Sequence, residues 1–413
     1  MAKQVLIAGG GIGGMSAALA CARAGWGVQL FERAPAFSEV GAGIQLGPNV
    51  TRQLNDWGLE AAITEVAALP DQLQVRDADS GQTLGLLRLG EHAKARYGAP
   101  YVTIHRADLH RLLHTAAQQQ GMVDIHLNTA LRRFSEDSGS VKTQLTTPLD
   151  HARSCAAEVS GDALLGADGL WSPVRQLLLQ DGQPEVAGHL AYRALVRQAA
   201  LPEALRTQNI TVWLGSRLHV VQYPVRGGEW LNVVAIVQAR LPGPVQNLGP
   251  DRLDHWDHSA NAIELQRVLA DTCGPLQDLV HAVGHWRLWV LCDRPPMRGP
   301  QEHALGRVAL LGDAAHPMRP YLAQGAGMAI EDAAALGQAL GQALTPSADV
   351  PAALRRYAQE RWQRNARVQA RAERNGRIFH ATGPVRWGRN LAMRLGGERL
   401  LDMPWLYGAS TSA

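Results

Sequence analysis

Three groups of residues have the types and spacing to do chemistry. The first is the turn Gly9-Gly10-Gly11-Ile12-Gly13-Gly14, with the G-x-G-x-x-G spacing at Gly9, Gly11 and Gly14. The first glycine permits a tight turn, the second lets backbone approach a pyrophosphate, and the third lets a helix pack on a strand. Free N–H groups and the dipole of the helix that opens there favour phosphate oxygens. Glu32 follows Gly14 by eighteen positions, and a carboxylate roughly 20 residues on can accept from ribose hydroxyls. This turn fits FAD or NAD equally well. The second group is a pair of aspartates, Asp168 in GADGLWSPVR (Gly166–Arg175) and Asp313 in GDAAHP (Gly312–Pro317). Each closes an apolar run, and α/β sheets bind ligands at the carboxyl ends of their strands. The third is SRLHVVQYPVRGG (Ser216–Gly228), where His219, Val221 and Tyr223 share one strand face at period two.

Elements of two styles must position these residues. Gln4–Ala8 reads as a buried strand, residues 12–24 as a small-residue helix and Val28–Phe31 as a second strand, a βαβ unit. Helices are expected around Asn49–Trp57 and over His105–Gln119, with Leu109, Leu112 and Leu113 on one face of the latter. Ala163–Ala167 reads as a buried strand before a helix with Ser172 as N-cap and Pro173 at its first position. From about 185 to 297 strand-like pieces (ITVWL, LHVVQYPV, WLNVVAIV, WRLWVLC) surround one helical segment near 259–272. The buried-strand style returns at Arg307. A small-residue helix over about 324–343, an arginine-rich helix over 350–375 and an irregular or short-helical tail follow. The expected fold class is α/β (α+β overall). A Rossmann-like domain over 1–69, 99–184 and 298–345 is interrupted by a mostly antiparallel substrate-binding sheet domain over 70–98 and 185–297. A C-terminal helical segment over 346–413 completes it.

Composition excludes several classes. The chain has 413 residues, 46% hydrophobic, enough for a sizeable core. A net charge of +3 does not demand an acidic partner. From residue 351 onward there are 12 Arg against 4 acidic residues. No aromatic platforms are interleaved, so a solvated or intersubunit face is expected there and nucleic acid is not. Cys21, Cys155, Cys273 and Cys292 form no CxxC pair, which argues against a disulfide scaffold or cysteine metal site and suits a reducing compartment. His255-x-x-His258 and His281-x-x-x-His285 lack a third ligand, so no metal is expected. The apolar stretch Val5–Ala22 stops at Arg23, short of the roughly 20 residues a span needs, and its flanks do not suit a signal peptide. No membrane insertion and a cytoplasmic location are expected. The 42 glycines matter through their clusters at 9–14, 41–47, 166–169 and 312–327.

Taken in order, the Gly9–Gly14 turn, the Asp168-Gly169 segment and the Gly312–Pro317 segment resemble the three signatures of the flavoprotein aromatic hydroxylases. These are single-component, FAD-dependent monooxygenases, and the likeness spans essentially the whole chain. It is this resemblance that selects FAD. It implies cofactor contacts for Gly9, Gly11, Gly13 and Gly14, and a ribose contact for Glu32 with Arg33 beside it. It sets Gln45 in a loop close to FAD, Arg106 near the pyrophosphate and Leu131 where backbone meets adenine. Asp168 is associated with FAD and nicotinamide-dinucleotide contact, and Asp313 with the ribityl chain. Gly325, Ala326, Gly327 and Met328 open the long helix at the flavin N1–C2=O edge. Free N–H groups and the helix dipole there suit the negative charge of reduced flavin.

The implied activity is hydroxylation of a small aromatic acid of hydroxybenzoate, salicylate or hydroxynicotinate type. NAD(P)H and O2 are the cosubstrates, and a flavin C4a-hydroperoxide delivers the oxygen. The H-x-x-x-Y-P strand resembles that of the hydroxybenzoate and salicylate hydroxylase branch, which makes His219 the base at the substrate hydroxyl and Tyr223 its orienting partner. Pro320 and Tyr321 bound the pocket. Some 3-hydroxybenzoate 6-hydroxylases carry Gln where this chain has Pro320, which leaves salicylate-like and hydroxynicotinate-like substrates open. Arg193 and Arg217 are candidates for an anionic substrate group. A homodimer is expected by resemblance only. The alternatives are a ubiquinone-pathway hydroxylase, a same-fold FAD oxidoreductase that does not oxygenate, and a flavin-binding protein without turnover.

Overall fold

The structure is a computed structural model that describes residues 3–37, 42–147, 157–238, 262–345 and 348–408. Gly41, Cys155 and the His255/His258 pair lie outside the described residues. Gln4–Ala8 sits inside a six-stranded sheet ordered Ala304–Leu305, Val308–Leu310, Ala163–Gly166, Gln4–Ala8, Gly27–Phe31, Val123–His126. Every pairing is parallel except that of the first two strands. A strand covered on both faces has no polar side, which is why QVLIA reads as one apolar run. The Ile12–Arg23 helix packs against the Gly325–Gly341 helix. Small residues permit the approach: a Cβ on Gly337 would meet Ala20 at 2.9 Å. Gly9 has φ +97°, and a Cβ on Gly14 would collide with the Gly9 carbonyl oxygen, so the turn admits only glycine at both positions.

A seven-stranded sheet runs Arg287–Asp293, Glu185–Arg197, Trp230–Gln238, Leu218–Val225, Ile210–Leu214, Gln72–Asp77, Thr83–Arg88. It is antiparallel except between Ile210–Leu214 and Gln72–Asp77. Leu218 and Val220 join an apolar core with Leu265, Leu276 and Leu279 from two short helices. Tyr223 and Val225, on the alternate face, pack toward Leu322 and toward Met328 of the Gly325–Gly341 helix.

The sequence pattern did not reveal the 13-residue strand Glu185–Arg197. Its register shifts between Val186 and Leu190 around Gly188 at φ +70°, and this bulge breaks the period-two signal. The helix expected near 259–272 is resolved as Ala262–Val268, followed by a separate helix Gly274–Ala282 that opens at Cys273-Gly274-Pro275. The arginine-rich helix runs on to Phe379, and the tail holds a 14-residue helix, Gly383–Gly396.

The Gly325–Gly341 helix buries two adjacent acids, Glu331 and Asp332. Asp332 accepts from the Gly312 backbone N–H (3.1 Å), Arg361 Nε (2.9 Å), Asn365 Nδ2 (2.9 Å) and His316 Nε2. Glu331 accepts from Asn49 (2.7 Å) and from Arg364 (2.6 and 2.8 Å), with Arg361 at 2.9 Å. Burial alone would push both carboxyl groups up. His316 and Arg361 around Asp332, and Arg361 and Arg364 around Glu331, outweigh it and hold both below the usual carboxylate range. Arg361→Ala leaves buried carboxylates short of a partner. It is expected to cost about 3–5 kcal/mol of unfolding free energy, read by urea denaturation; a loss below about 1 kcal/mol would show that the network does not hold these helices together.

Candidate active site

Three cavities meet around the strand ends. One of ≈ 350 Å³ lies between Gly11–Gly13, Gly312-Asp313 and the start of the Gly325–Gly341 helix. A second, also ≈ 350 Å³, lies between Gly10, Glu32, Phe37 and His110. Gly11 and Arg106 line both, so the two abut at the glycine turn. A third, ≈ 720 Å³ and mostly apolar, lies between the seven-stranded sheet and the C-terminal helices. It shares Gln45, His219, Val221, Pro320 and Ala323 with the first.

The first two cavities suit a dinucleotide with a ring system at one end. Gly11 has only Arg106 within 4 Å of where a Cβ would stand, so backbone N–H groups are open to a pyrophosphate. Glu32 serves the turn itself: Oε2 accepts from Gly10 N at 2.7 Å and Oε1 from Ala34 N at 2.8 Å. A carboxylate has about four acceptor sites, so capacity remains for ribose hydroxyls. His110 Nε2 donates to Gly10 O at 2.6 Å. His110 lies one helical turn after Arg106, a spacing that could have flagged it. Asp313 faces the first cavity; burial raises its pKa, and His316 and Arg106 oppose that rise. Gly325 and Ala326 line the same cavity at the helix start. The residues present fit FAD.

Other candidates play supporting parts. Gly9 and Gly14 shape the turn, while Gly13 lines the cavity. Gly327 packs against Val50, and Met328 is buried beside Arg361. Asp168 lines none of these cavities; its neighbours Ala167 and Gly169 do. Its carboxylate accepts from Ser172 Oγ and Val174 N, so it braces the N-terminus of the Pro173–Leu179 helix beside its N-cap Ser172, whose hydroxyl accepts from Arg175 N at 2.9 Å. Burial lifts its pKa to about 6 against those hydrogen bonds and the charge of Arg33. Arg33 itself is exposed and lines none of these three cavities. Leu131 is buried among Phe31, Val141 and Leu145, and its side chain lines none of the three cavities. Arg175 donates to Ala314 O (3.0 Å) and Ala315 O (2.6 Å). It therefore braces the Asp313 turn.

At the junction of the first and third cavities stands His219, 1% exposed. Burial, then the nearby His380 and His189, hold its pKa well below the ordinary value, so the ring is neutral at pH 7. Tyr223 is not its partner. The Tyr223 hydroxyl donates to Gly43 O at 2.6 Å, and Gly43 N donates to Asn232 at 2.7 Å. This bond ties the Gly43–Leu46 strand to the sheet and fixes Gln45, which accepts from Tyr101. The partner of His219 is His380, which no motif in the sequence marks, since it lies 161 positions away. Tyr321 lies edgewise to the His380 ring and tilted at 50° to the His219 ring, and its hydroxyl is buried with no hydrogen-bond partner among the described residues. Arg193 lines the first cavity, its guanidinium 5.0 Å over Trp289, with Nε buried and unpartnered among the described residues. Arg217 is exposed in the hairpin before Leu218–Val225 and lines none of the three cavities. Pro320 borders both the first and third cavities. Among the described residues no cluster could hold a metal ion.

Fold and site together define a flavoprotein that holds a second, ring-sized ligand beside its cofactor. The FAD binding domain family model matches residues 2–242 and 298–372. The chain is 38% identical to 3-hydroxybenzoate 6-hydroxylase of Polaromonas naphthalenivorans (strain CJ2), over 98% of this chain and 95% of that one. It is 36% identical to 6-hydroxynicotinate 3-monooxygenase of Bordetella bronchiseptica (strain ATCC BAA-588 / NCTC 13252 / RB50), over 89% of each. Its backbone matches a salicylate hydroxylase substrate complex with a TM-score of 0.82 at 25% identity, over 99% of this chain and 96% of that one. The chain belongs to the FAD-dependent aromatic hydroxylases, the FAD-binding family that these relatives share.

The buried histidines set a pH signature. Burial, followed by neighbouring positive groups, brings His303 and His380 down to about 3. The unfolded chain binds these protons near pH 6.5 while the native state excludes them, so stability is full above that pH and falls as pH drops toward about 3. Each such group costs about 1.4 kcal/mol one pH unit below its unfolded value. Urea midpoints at about pH 7.5 and about pH 5.5 test this. The lower pH should give the lower midpoint, and equal midpoints would mean these rings are protonated in the native protein.

Proposed function

We propose that this protein hydroxylates a small phenolic or hydroxypyridine carboxylic acid, using NAD(P)H as reductant and O2 as oxidant. The position of His219 carries this reading: a buried neutral imidazole where the nucleotide-side cavity opens into the larger apolar one. Bound FAD would supply reduction by NAD(P)H and activation of O2, held by the glycine turn, Glu32, Arg106, Asp313 and the start of the Gly325–Gly341 helix. The protein's own part is to prepare the substrate. His219 accepts the ring hydroxyl proton and makes the ring a stronger nucleophile, a step worth roughly 10²–10⁴ in rate for a positioned base. Arg193, with an unpartnered Nε, is placed to take a carboxylate, and the Tyr321 hydroxyl supplies a further hydrogen bond. Gly43, held by Tyr223 and Asn232, fixes the strand that carries Gln45. The apolar wall of the larger cavity keeps water from the reacting centre. Its size also favours a second reading, an aromatic substrate that bears an apolar substituent. Scattered thiols at Cys21, Cys273 and Cys292 suit action in the cytoplasm.

The test is aerobic turnover with 3-hydroxybenzoate, salicylate, 6-hydroxynicotinate and alkyl-substituted phenols. At least one compound should speed NAD(P)H oxidation and gain one oxygen atom from labelled O2, by mass spectrometry. NAD(P)H oxidation without incorporation across the panel would instead mark an FAD oxidoreductase that does not oxygenate. His219→Ala should lower product formation by roughly 10²-fold or more with FAD content unchanged. Parallel loss of FAD would show that the ring is structural.

A further inference from the structure

His219 has an unusual orienting partner. Its ring, that of His189 on Glu185–Arg197 and that of His380 beyond Phe379 lie together, with centroids 5.1 Å apart for His219–His380 and 4.9 Å for His189–His380. No carboxylate hydrogen-bonds any of the three among the described residues. His219 Nδ1 lies 2.8 Å from His380 Nε2. Two neutral imidazoles so placed share one proton, so the tautomer of one ring dictates the tautomer of the other. His189 differs: its Nδ1–H donates to Ala187 O at 2.8 Å and cannot change roles. His380 Nδ1 is buried without a hydrogen-bond partner among the described residues, so among them His219 fixes the state of His380. With Nδ1 occupied, Nε2 is the nitrogen His219 has left for the cavities it lines.

We propose that His380 is the positioning residue of His219, accepting its Nδ1–H at Nε2 so that the bare Nε2 of His219 faces the substrate. This rests on the aromatic-hydroxylase reading above. When the substrate hydroxyl gives its proton to His219 Nε2, the Nδ1 proton crosses to His380 Nε2. The substrate is then a phenolate hydrogen-bonded to neutral His219, and one positive charge sits on His380. One proton has left the substrate oxygen and one has been gained by the pair. His380 is 7% exposed against 1% for His219, so the charge is less costly there. The reverse shift returns the proton to the product oxygen. His189, Arg319 with its partner Asp293, Arg389 and the Tyr321 hydroxyl face the pair from the surrounding elements. The arginines favour the neutral pair until an anionic ring arrives.

The experiment compares His380→Phe, His380→Gln, His219→Gln and the His219→Gln/His380→Phe double variant in the FAD-loaded enzyme. His380→Phe should lower hydroxylation at saturating substrate by roughly ten-fold or more, with substrate affinity and FAD content retained. The acid limb of its pH profile should move to higher pH, because His219 then lacks its paired imidazole. His380→Gln, which keeps a side-chain acceptor, should restore part of the rate. The double variant should be no slower than His219→Gln, since residues that act as a unit do not add. Additive losses or an unmoved pH profile overturn the proposal. Nitrogen NMR of isotope-labelled histidines reads the tautomer without turnover, and wild-type His219 should be protonated at Nδ1. Protonation at Nε2 overturns the proposal even if His380→Phe is slow or poorly folded. A wild type that hydroxylates no compound on the panel defeats the functional reading, whereas normal wild-type turnover with His380→Phe unaffected defeats this proposal alone.

Discussion

The Asp332 carboxylate is the point on which the rest of the structure turns. Its oxygens take a backbone N–H from Gly312, a ring N–H from His316, and side-chain donors from Arg361 and Asn365. These partners come from the loop that presents Asp313 to the cofactor cavity and from the Val350–Phe379 helix. No donor can leave without exposing a desolvated charge, so the loop and the two helices are held as one body. Glu331, next in the chain, extends the same hold to Asn49 and, through Arg364, to the backbone of Leu406 in the tail. The helix N-terminus at Gly325 is thereby aimed at its cavity by two acids that line none of the three cavities themselves.

That anchoring reaches the substrate side along one helix. Arg361 and His380 are nineteen residues apart, about 28 Å of helix at 1.5 Å per residue. The same element that neutralises Asp332 near its middle delivers Phe379 and His380 to the aromatic wall at its end. A Cβ on Gly376 would meet the Tyr321 ring at 2.8 Å, so the last turn of that helix is also cut to admit Tyr321. Cofactor loop, substrate wall and base partner therefore share one rigid reference.

The Leu218–Val225 strand separates core from chemistry by alternation alone. Leu218 and Val220 enter the hydrophobic core, while His219, Val221 and Tyr223 face the cavities. A one-residue slip would exchange the two sets, and its nine-residue neighbour Trp230–Gln238 holds the register. Tyr223 adds a cross-tie to Gly43, which sets the Gly43–Leu46 strand against the seven-stranded sheet.

The sequence determined what local backbone chemistry can determine. Gly9–Gly14, Ser172-Pro173 and the period-two face of His219 are short-range signals. Their steric and hydrogen-bonding meaning is the same in any fold, so the turn, the capped helix and the inward face were legible. Asp168 shows the limit, because its sequence context does not reveal that its carboxylate also braces the N-terminus of the helix capped by Ser172. Tyr223 reads as the partner of His219 on one strand, yet its hydroxyl is spent on Gly43 across the sheet. Glu331 and Asp332, charged residues in a small-residue helix, carried a signal that their arginine partners thirty positions on could have completed. His380 carried none. Partnership between residues 161 positions apart depends on how helices dock and how far they run, and only the tertiary structure decides that.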